Sequence, residues 1–272
     1  MTGLFKLRGT LDEKTRVGIE ITGVVATLVV WTALVAWKLV PATILPMPWK
    51  VLTSLKELHY QDALIVNALY SIKINFLGYL EAVGLALPLG MAIGLLPICR
   101  ALSERLIGAA RYLPLTATIG IFIALFGIET KMKVEFLAFG IFVYLLPVVV
   151  ERVDEVQEVY VQTAQTLGAT PWQTVKSVFI PDVVSRVFDD IRVLIALSWT
   201  YIVFTEVINA SDGGIGALAY IAARQSRPDK VYAVLLTIIL IGFLQDKAFV
   251  SLGKFLFPFK YAEGGGSGRS FA

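Results

Sequence analysis

Across 272 residues the chain holds a single cysteine, Cys99, and a single histidine, His59. One thiol excludes an intramolecular disulfide and a cysteine-built metal cluster. One imidazole argues against histidine metal sites and against a Ser-His-Asp triad, so no metal-ligand set is expected. Both residues read as structural or interfacial. Charge is scarce too, at 17% of residues, where ordinary soluble domains carry about 25%. The net charge of +3 is small and the basic residues are scattered among the connections, so no nucleic-acid partner is expected. The opening "MTGLFKLRGTLDEKTR" shows neither the short apolar core nor the small-residue cleavage site of a signal peptide. The first apolar run is therefore expected to stay in place as a membrane helix.

What the chain has in quantity is apolar residues, 57% of the total, gathered in long runs. The stretch "ITGVVATLVVWTALVAW", Ile21 to Trp37, carries no charge at all. A helix needs about 20 mostly apolar residues to cross the bilayer core, which makes this an integral membrane protein. The runs predict an all-α membrane protein of about six transmembrane helices: Ile19–Val40, Ile74–Leu96, Leu113–Phe126, Phe136–Val150, Ile191–Ile208 and Val231–Leu252. Residues 1–18 form an N-terminal tail, 19–256 the membrane domain, and 257–272 a flexible C-terminal tail ending in "AEGGGSGRSFA". That tail lacks the spacing and the flanking strand and helix of a phosphate-binding loop, so no nucleotide-binding loop is expected in the chain. The Lys/Arg bias of the short loops puts both termini in the cytoplasm. On the outer surface, "PATILPMPWKVLTSLKELH" predicts a short amphipathic helix with Trp49, Leu52, Leu55 and Leu58 at helical spacing.

One polar stretch stands out between these runs, "VQTAQTLGATPWQTVKSVFIP", Val161 to Pro181. Val153, Val156, Tyr160, Ala164 and Leu167 recur at intervals of three and four, predicting an amphipathic helix from Val153 to Leu167 that continues the fourth span. Gly168 follows where a helix end tolerates a left-handed residue. Thr170, Pro171 and Gln173 then read as N-cap, first helical residue and capping-box partner of a second helix, with Pro181 as its stop. Two helices meeting at a fixed corner make a rigid projection, about residues 153–181. It is either an elbow lying on lipid headgroups or a docking knob for a cytoplasmic partner.

The spacing "QTA", three residues, Gly168, nine residues, Val178, one residue, "IP" resembles the cytoplasmic signature of the membrane subunits of bacterial ATP-binding-cassette importers. Ala164, Gly168 and Pro181 match that pattern, whereas Gln162 stands where the family has Glu and Thr163 where it has Ala. Further stretches, "YLPLTATIGIFIALFGIETKMK", "ALSWTYIVFTEVINASDGGIGALAYIAARQSRPDKVYA" and "LPMPWKVLTSL", are similar to the nitrate, bicarbonate, taurine and sulfonate branch of those permeases. The resemblance implies a type I importer permease fold in the inner membrane, and a non-catalytic subunit. It implies pairing with a second permease copy, cytoplasmic ATPase subunits that bind the ATP and Mg, and an extracytoplasmic solute-binding protein. It places the ATPase-coupling corner at Gln165 to Trp172, with Ala164, Gln165, Gly168, Ala169, Pro171 and Trp172 as the coupling residues. Trp172 would be an apolar anchor of the kind that dominates interfaces.

Charges within the spans cost about 2.5–3.5 kcal/mol each at mid-membrane and therefore mark candidates. Glu206, in line with Trp199 and Asn209, matches the family's fifth-span Glu and is expected either to face the pathway or gate, or to make a structural hydrogen bond between spans. Glu81 reads equally as an interhelical contact or a pathway residue, and Lys73 as a cation snorkelling to the surface. Gly90 and Gly94 form a GxxxG pair suited to close helix packing. Gly213, Gly214 and Gly216 read as loop punctuation at a re-entrant segment. Two other classes compete. An ion-driven secondary carrier would leave the polar hairpin unexplained and calls for internal repeats, of which no convincing one is found. A membrane-embedded enzyme calls for a clustered nucleophile and base.

Overall fold

The computed structural model describes Gly9, residues 11–110 and residues 112–262; the Gly-rich end of the predicted tail and half of the predicted N-terminal tail lie outside them. Among the described residues there are helices and turns but no strand. In chain order they are α1 (Glu13–Ala36), α2 (Pro48–Tyr60), α3 (Leu64–Leu95), α4 (Pro97–Ala110), α5 (Ile119–Phe126), α6 (Thr130–Asp154), α7 (Glu158–Thr166), α8 (Pro171–Thr174), α9 (Ile180–Ile208), α10 (Ile215–Arg224), α11 (Pro228–Leu256) and α12 (Pro258–Ala262). Among the described residues five stretches are long and apolar enough to cross a membrane: α1, α3, α6, α8 through α9, and α11. The expected third span is different. Leu115–Phe126 opens as a 3₁₀ turn and meets α4 at a bend of 96°, the geometry of a broken span or of a re-entrant loop and not of a straight helix.

The helix ends explain the other shifts of boundary. Asp12 accepts the Thr15 N–H at 3.1 Å and so starts α1 at Glu13, inside the predicted tail. At the other end Pro258 opens α12, where Lys260 Nζ donates to the Ser185 carbonyl at 3.2 Å and also bonds Asp189. The beginning of the predicted flexible tail is thus a docked helix.

The chain divides into two compact units, Met1–Leu64 with Ala219–Leu235 and Ile65–Leu218 with Leu236–Ala272. In the first, α2 packs on α1, and Trp31 Nε1 donates to the Pro46 carbonyl at 2.9 Å. The face of α2 that is buried is Val51, Ser54 and Leu58; of the four residues the sequence placed at helical spacing, Leu58 lies on it, while Trp49 and Leu52 are exposed. Ser54 turns that face inward by donating to Asp229 at 2.6 Å, a polar tie that apolar periodicity cannot register. In the second unit α6 is the central helix: Met132, Phe136, Leu137, Leu145 and Val149 are fully buried, as an all-round apolar helix should be. The GxxxG expectation holds: a Cβ at Gly90 would lie 2.6 Å from Val149 Cβ, and one at Gly94 2.6 Å from Val153 Cβ. Those two positions let α3 and α6 approach closely.

Candidate functional site

The polar hairpin begins where α6 ends. The continuous helix predicted from Val153 to Leu167 is broken: Glu155 caps α6, and α7 starts afresh at Glu158 after an extended Gln157. Arg152 causes the break to be worthwhile. Its guanidinium reaches Glu155 at 2.5 Å and Asp190 of α9 at 2.7 Å, while Arg186 pairs with Asp182 at 2.9 Å and with Glu155 at 3.4 Å. The Arg152 guanidinium holds the Glu155 carboxyl below the usual carboxylate range. This network ties the base of the hairpin to α9.

The corner itself is as the residue types demand. Gly168 has φ of +81°; its N–H donates to Gln165 O at 2.9 Å and the Ala169 N–H to Ala164 O at 3.0 Å, the paired bonds of a Schellman end. Thr170 and Gln173 form the reciprocal capping box, at 3.4 Å and 2.8 Å, with Pro171 at the first helical position. On this corner Leu167 is 83% exposed and Trp172 69% exposed. Pro181 does not stop the second arm. A π turn over Val175–Phe179 carries α8 into α9, so Pro171–Ile208 runs on as one span. The widened turn accommodates a ring that would crowd the carbonyl four residues back in a regular helix.

A second site is buried in the same unit. Glu206 and Lys133 are both fully inaccessible, and both reach the segment 209–216. Glu206 Oε1 accepts from Ser71 Oγ at 2.5 Å and Oε2 from the Gly216 N–H at 2.7 Å. Ser71 Oγ in turn accepts from the Ile215 N–H at 2.9 Å, and Asn67 Oδ1 from the Gly214 N–H at 2.7 Å. Lys133 Nζ donates to Asn209 O at 3.2 Å, stands 3.4 Å from Asp212 and lies over the Tyr70 ring. Buried charges need such partners. The glycines are a cradle rather than loop punctuation: Gly214 has φ of +110°, and a Cβ there would fall 2.2 Å from Glu206 Cδ.

Of the residues singled out in the sequence, Glu206 and Asn209 are brought together here, and the bonds Glu206 makes are the interhelical ones of the structural alternative. Trp199 is buried two turns away and donates to Gln245 of α11 at 2.9 Å. Glu81 and Lys73 are exposed on α3, apart from the cluster. Lys133, Ser71 and Asn67 were missed. Lys133 reads as a loop charge because the fourth span is placed to begin at Phe136, whereas α6 begins at Thr130. Asn67 and Ser71, four apart and hence on one helix face, are the signal that was available.

Described residues that are all helix and turn, with five long apolar helices, a sharply bent apolar pair and a rigid polar hairpin, have the architecture of a multi-pass membrane subunit. The chain is a member of the family described as binding-protein-dependent transport system inner membrane component, which matches residues 82–250. It is 27% identical to the taurine transport system permease protein of Escherichia coli (strain K12), over 89% of this chain and 90% of that one. It is 26% identical to the putative aliphatic sulfonates transport permease protein of Bacillus subtilis (strain 168), over 83% and 81%. Among solved structures it resembles a chain of the MetNI methionine ABC transporter in an inward-facing conformation, with a TM-score of 0.58 at 16% identity, over 71% of this chain and 96% of that one. The protein is therefore a permease subunit of an ATP-binding-cassette importer, multi-pass in the inner membrane and non-catalytic. Membership implies ATPase and solute-binding partners in general terms and sets the secondary carrier aside.

Proposed function

We propose that this permease imports a small sulfonate-like anion and that the Gln165–Trp172 corner is where its ATPase subunits drive it. One observation carries the second half: Leu167 and Trp172, large and apolar, are both exposed on a corner locked by a Schellman end and a capping box. A rigid knob transmits the closure of two ATPases to the helices, whereas a loop would absorb it. Ala164, Gly168 and Ala169 permit close approach, Pro171 sets the second arm, and the π turn passes its movement directly into α9. ATP and Mg are bound by the ATPase. Two copies of this chain pair, with their termini in the cytoplasm, and a solute-binding protein delivers the substrate from the other side. The taurine and sulfonate permeases among its relatives support the substrate class. Glu206, with Asn209, holds the segment 209–216 as a gate and does not bind the anion, which a carboxylate would repel. Trp199 steadies α9 against α11, and Glu81, too costly to leave in lipid, faces the pathway between the paired copies.

Co-purification with the ATPase tests the coupling assignment. Wild type should retain the ATPase; Gly168→Asp and Trp172→Ala should lose it while remaining folded. Equal retention in all three removes the corner from the interface. Uptake of labelled taurine or another alkanesulfonate into vesicles carrying the whole importer tests the substrate class, and failure of every sulfonate to compete would reject it.

A further inference from the structure

The segment leading into α2 does not rise away from the membrane. The charge-free stretch Ile21–Trp37 spans about 25 Å as a helix, less than the roughly 30 Å of a bilayer core. The end of α1 at Ala36 is thus held at the edge of the hydrocarbon, with Trp37, 75% exposed, at the boundary. Trp31 lies five residues further in, about 8 Å along the axis, and helical side chains lean toward the N-terminus. Yet Trp31 Nε1 bonds the carbonyl of Pro46, the residue before the N-cap of α2. The chain has turned back along α1, so α2 begins at or below the level of that helix end.

The two faces of α2 complete the case. Val51, Ser54 and Leu58 are buried, tied inward by the Ser54–Asp229 bond and by Arg227 on Glu57 at 2.8 Å. The diametrically opposite face presents Trp49 (55% exposed), Leu52, Thr53, Lys56 and Tyr60 (83% exposed). A water-facing side would not carry three large apolar or aromatic residues in five. Trp and Tyr with an interspersed Lys are the composition of the membrane interface, where rings sit at headgroup level and the lysine snorkels.

We infer that α2 is an interfacial anchor whose Trp49–Leu52–Tyr60 face is seated in phospholipid at the headgroup–acyl boundary. It continues the lipid-facing surface of α1, and its occupant is lipid rather than a docked soluble protein. The inference rests on membrane insertion alone, not on the coupling or substrate assignments.

Spin labels at Leu52→Cys and, separately, Tyr60→Cys test it, in the full chain with Cys99→Ser, reconstituted in phosphatidylethanolamine–phosphatidylglycerol vesicles. Collisions with oxygen and with a water-soluble nickel chelate are compared with labels at Val29→Cys on α1 and Glu158→Cys on α7. The expected result is an oxygen-to-nickel ratio at both sites severalfold above that at Glu158 and approaching that at Val29. A ratio equal to that at Glu158 overturns the inference. Loss of nickel access only when a solute-binding protein is added would assign the face to protein docking instead.

Discussion

The Ser71 hydroxyl and the Glu206 carboxylate lie 2.5 Å apart with neither side chain open to solvent, joining α3 to α9. Through Ile215 and Gly216 the same pair holds the start of α10. Replacing Glu206 by Leu leaves the Ser71 hydroxyl and the Gly216 N–H without that acceptor, which costs about 1–3 kcal/mol per buried group. The double-mutant cycle of Ser71→Ala with Glu206→Gln should show a coupling of about 0.5–3 kcal/mol in thermal unfolding. Additive effects would mean the contact carries no energy. Transport should fall in both single variants while ATPase binding persists.

Close approach of α3 and α6 depends on Gly90, whose missing side chain is filled by Val149. Gly90→Val should lower stability by about 1–3 kcal/mol through overpacking, and adding Val149→Ala should recover part of the loss. Gly84, with open space around its Cβ position, is the contrast: Gly84→Ala should be neutral or stabilising by up to about 1 kcal/mol. Unfolding temperatures in detergent read all three.

Thr170 caps the second arm of the hairpin. Thr170→Ala should remove about 0.5–2 kcal/mol of local stability, read as faster amide exchange at Gln173 and Thr174 with no change in α6. Unchanged exchange would show that Pro171 alone sets the corner.

Glu155 titrates below an ordinary carboxylate because Arg152 stabilises its charged form. A depressed pKa contributes stability above the unfolded-state value of about 4.3, lost as pH falls through the folded value. Exchange around Val156–Tyr160 should therefore accelerate below about pH 4, and Glu155→Gln should flatten that dependence. The effect is small, since the pair is largely solvated.

The corner was legible in the sequence because its determinants are local: Gly168 for a left-handed residue, then Thr170, Pro171 and Gln173 within four positions. The family signature at Ala164, Gly168 and Pro181 was legible for the same reason. Pro181 misled, because the rule that proline ends a helix omits the π turn that absorbs it. On α2, period showed an amphipathic helix, and only the long-range polar bond from Ser54 to Asp229 shows which face packs inward.

By itself the sequence determined that the chain crosses the membrane, roughly where its apolar helices fall, and that a rigid polar corner interrupts them. Those properties follow from transfer free energies and short-range backbone bonds, which depend on neighbours in the chain. Only the tertiary structure decided that Lys133 is buried, that Ser71 and Asn67 serve the segment after Glu206, and that Gly214 cradles a carboxylate. Each of these joins residues scores of positions apart or turns on a few ångströms of clearance, and such relationships exist only once the helices have packed.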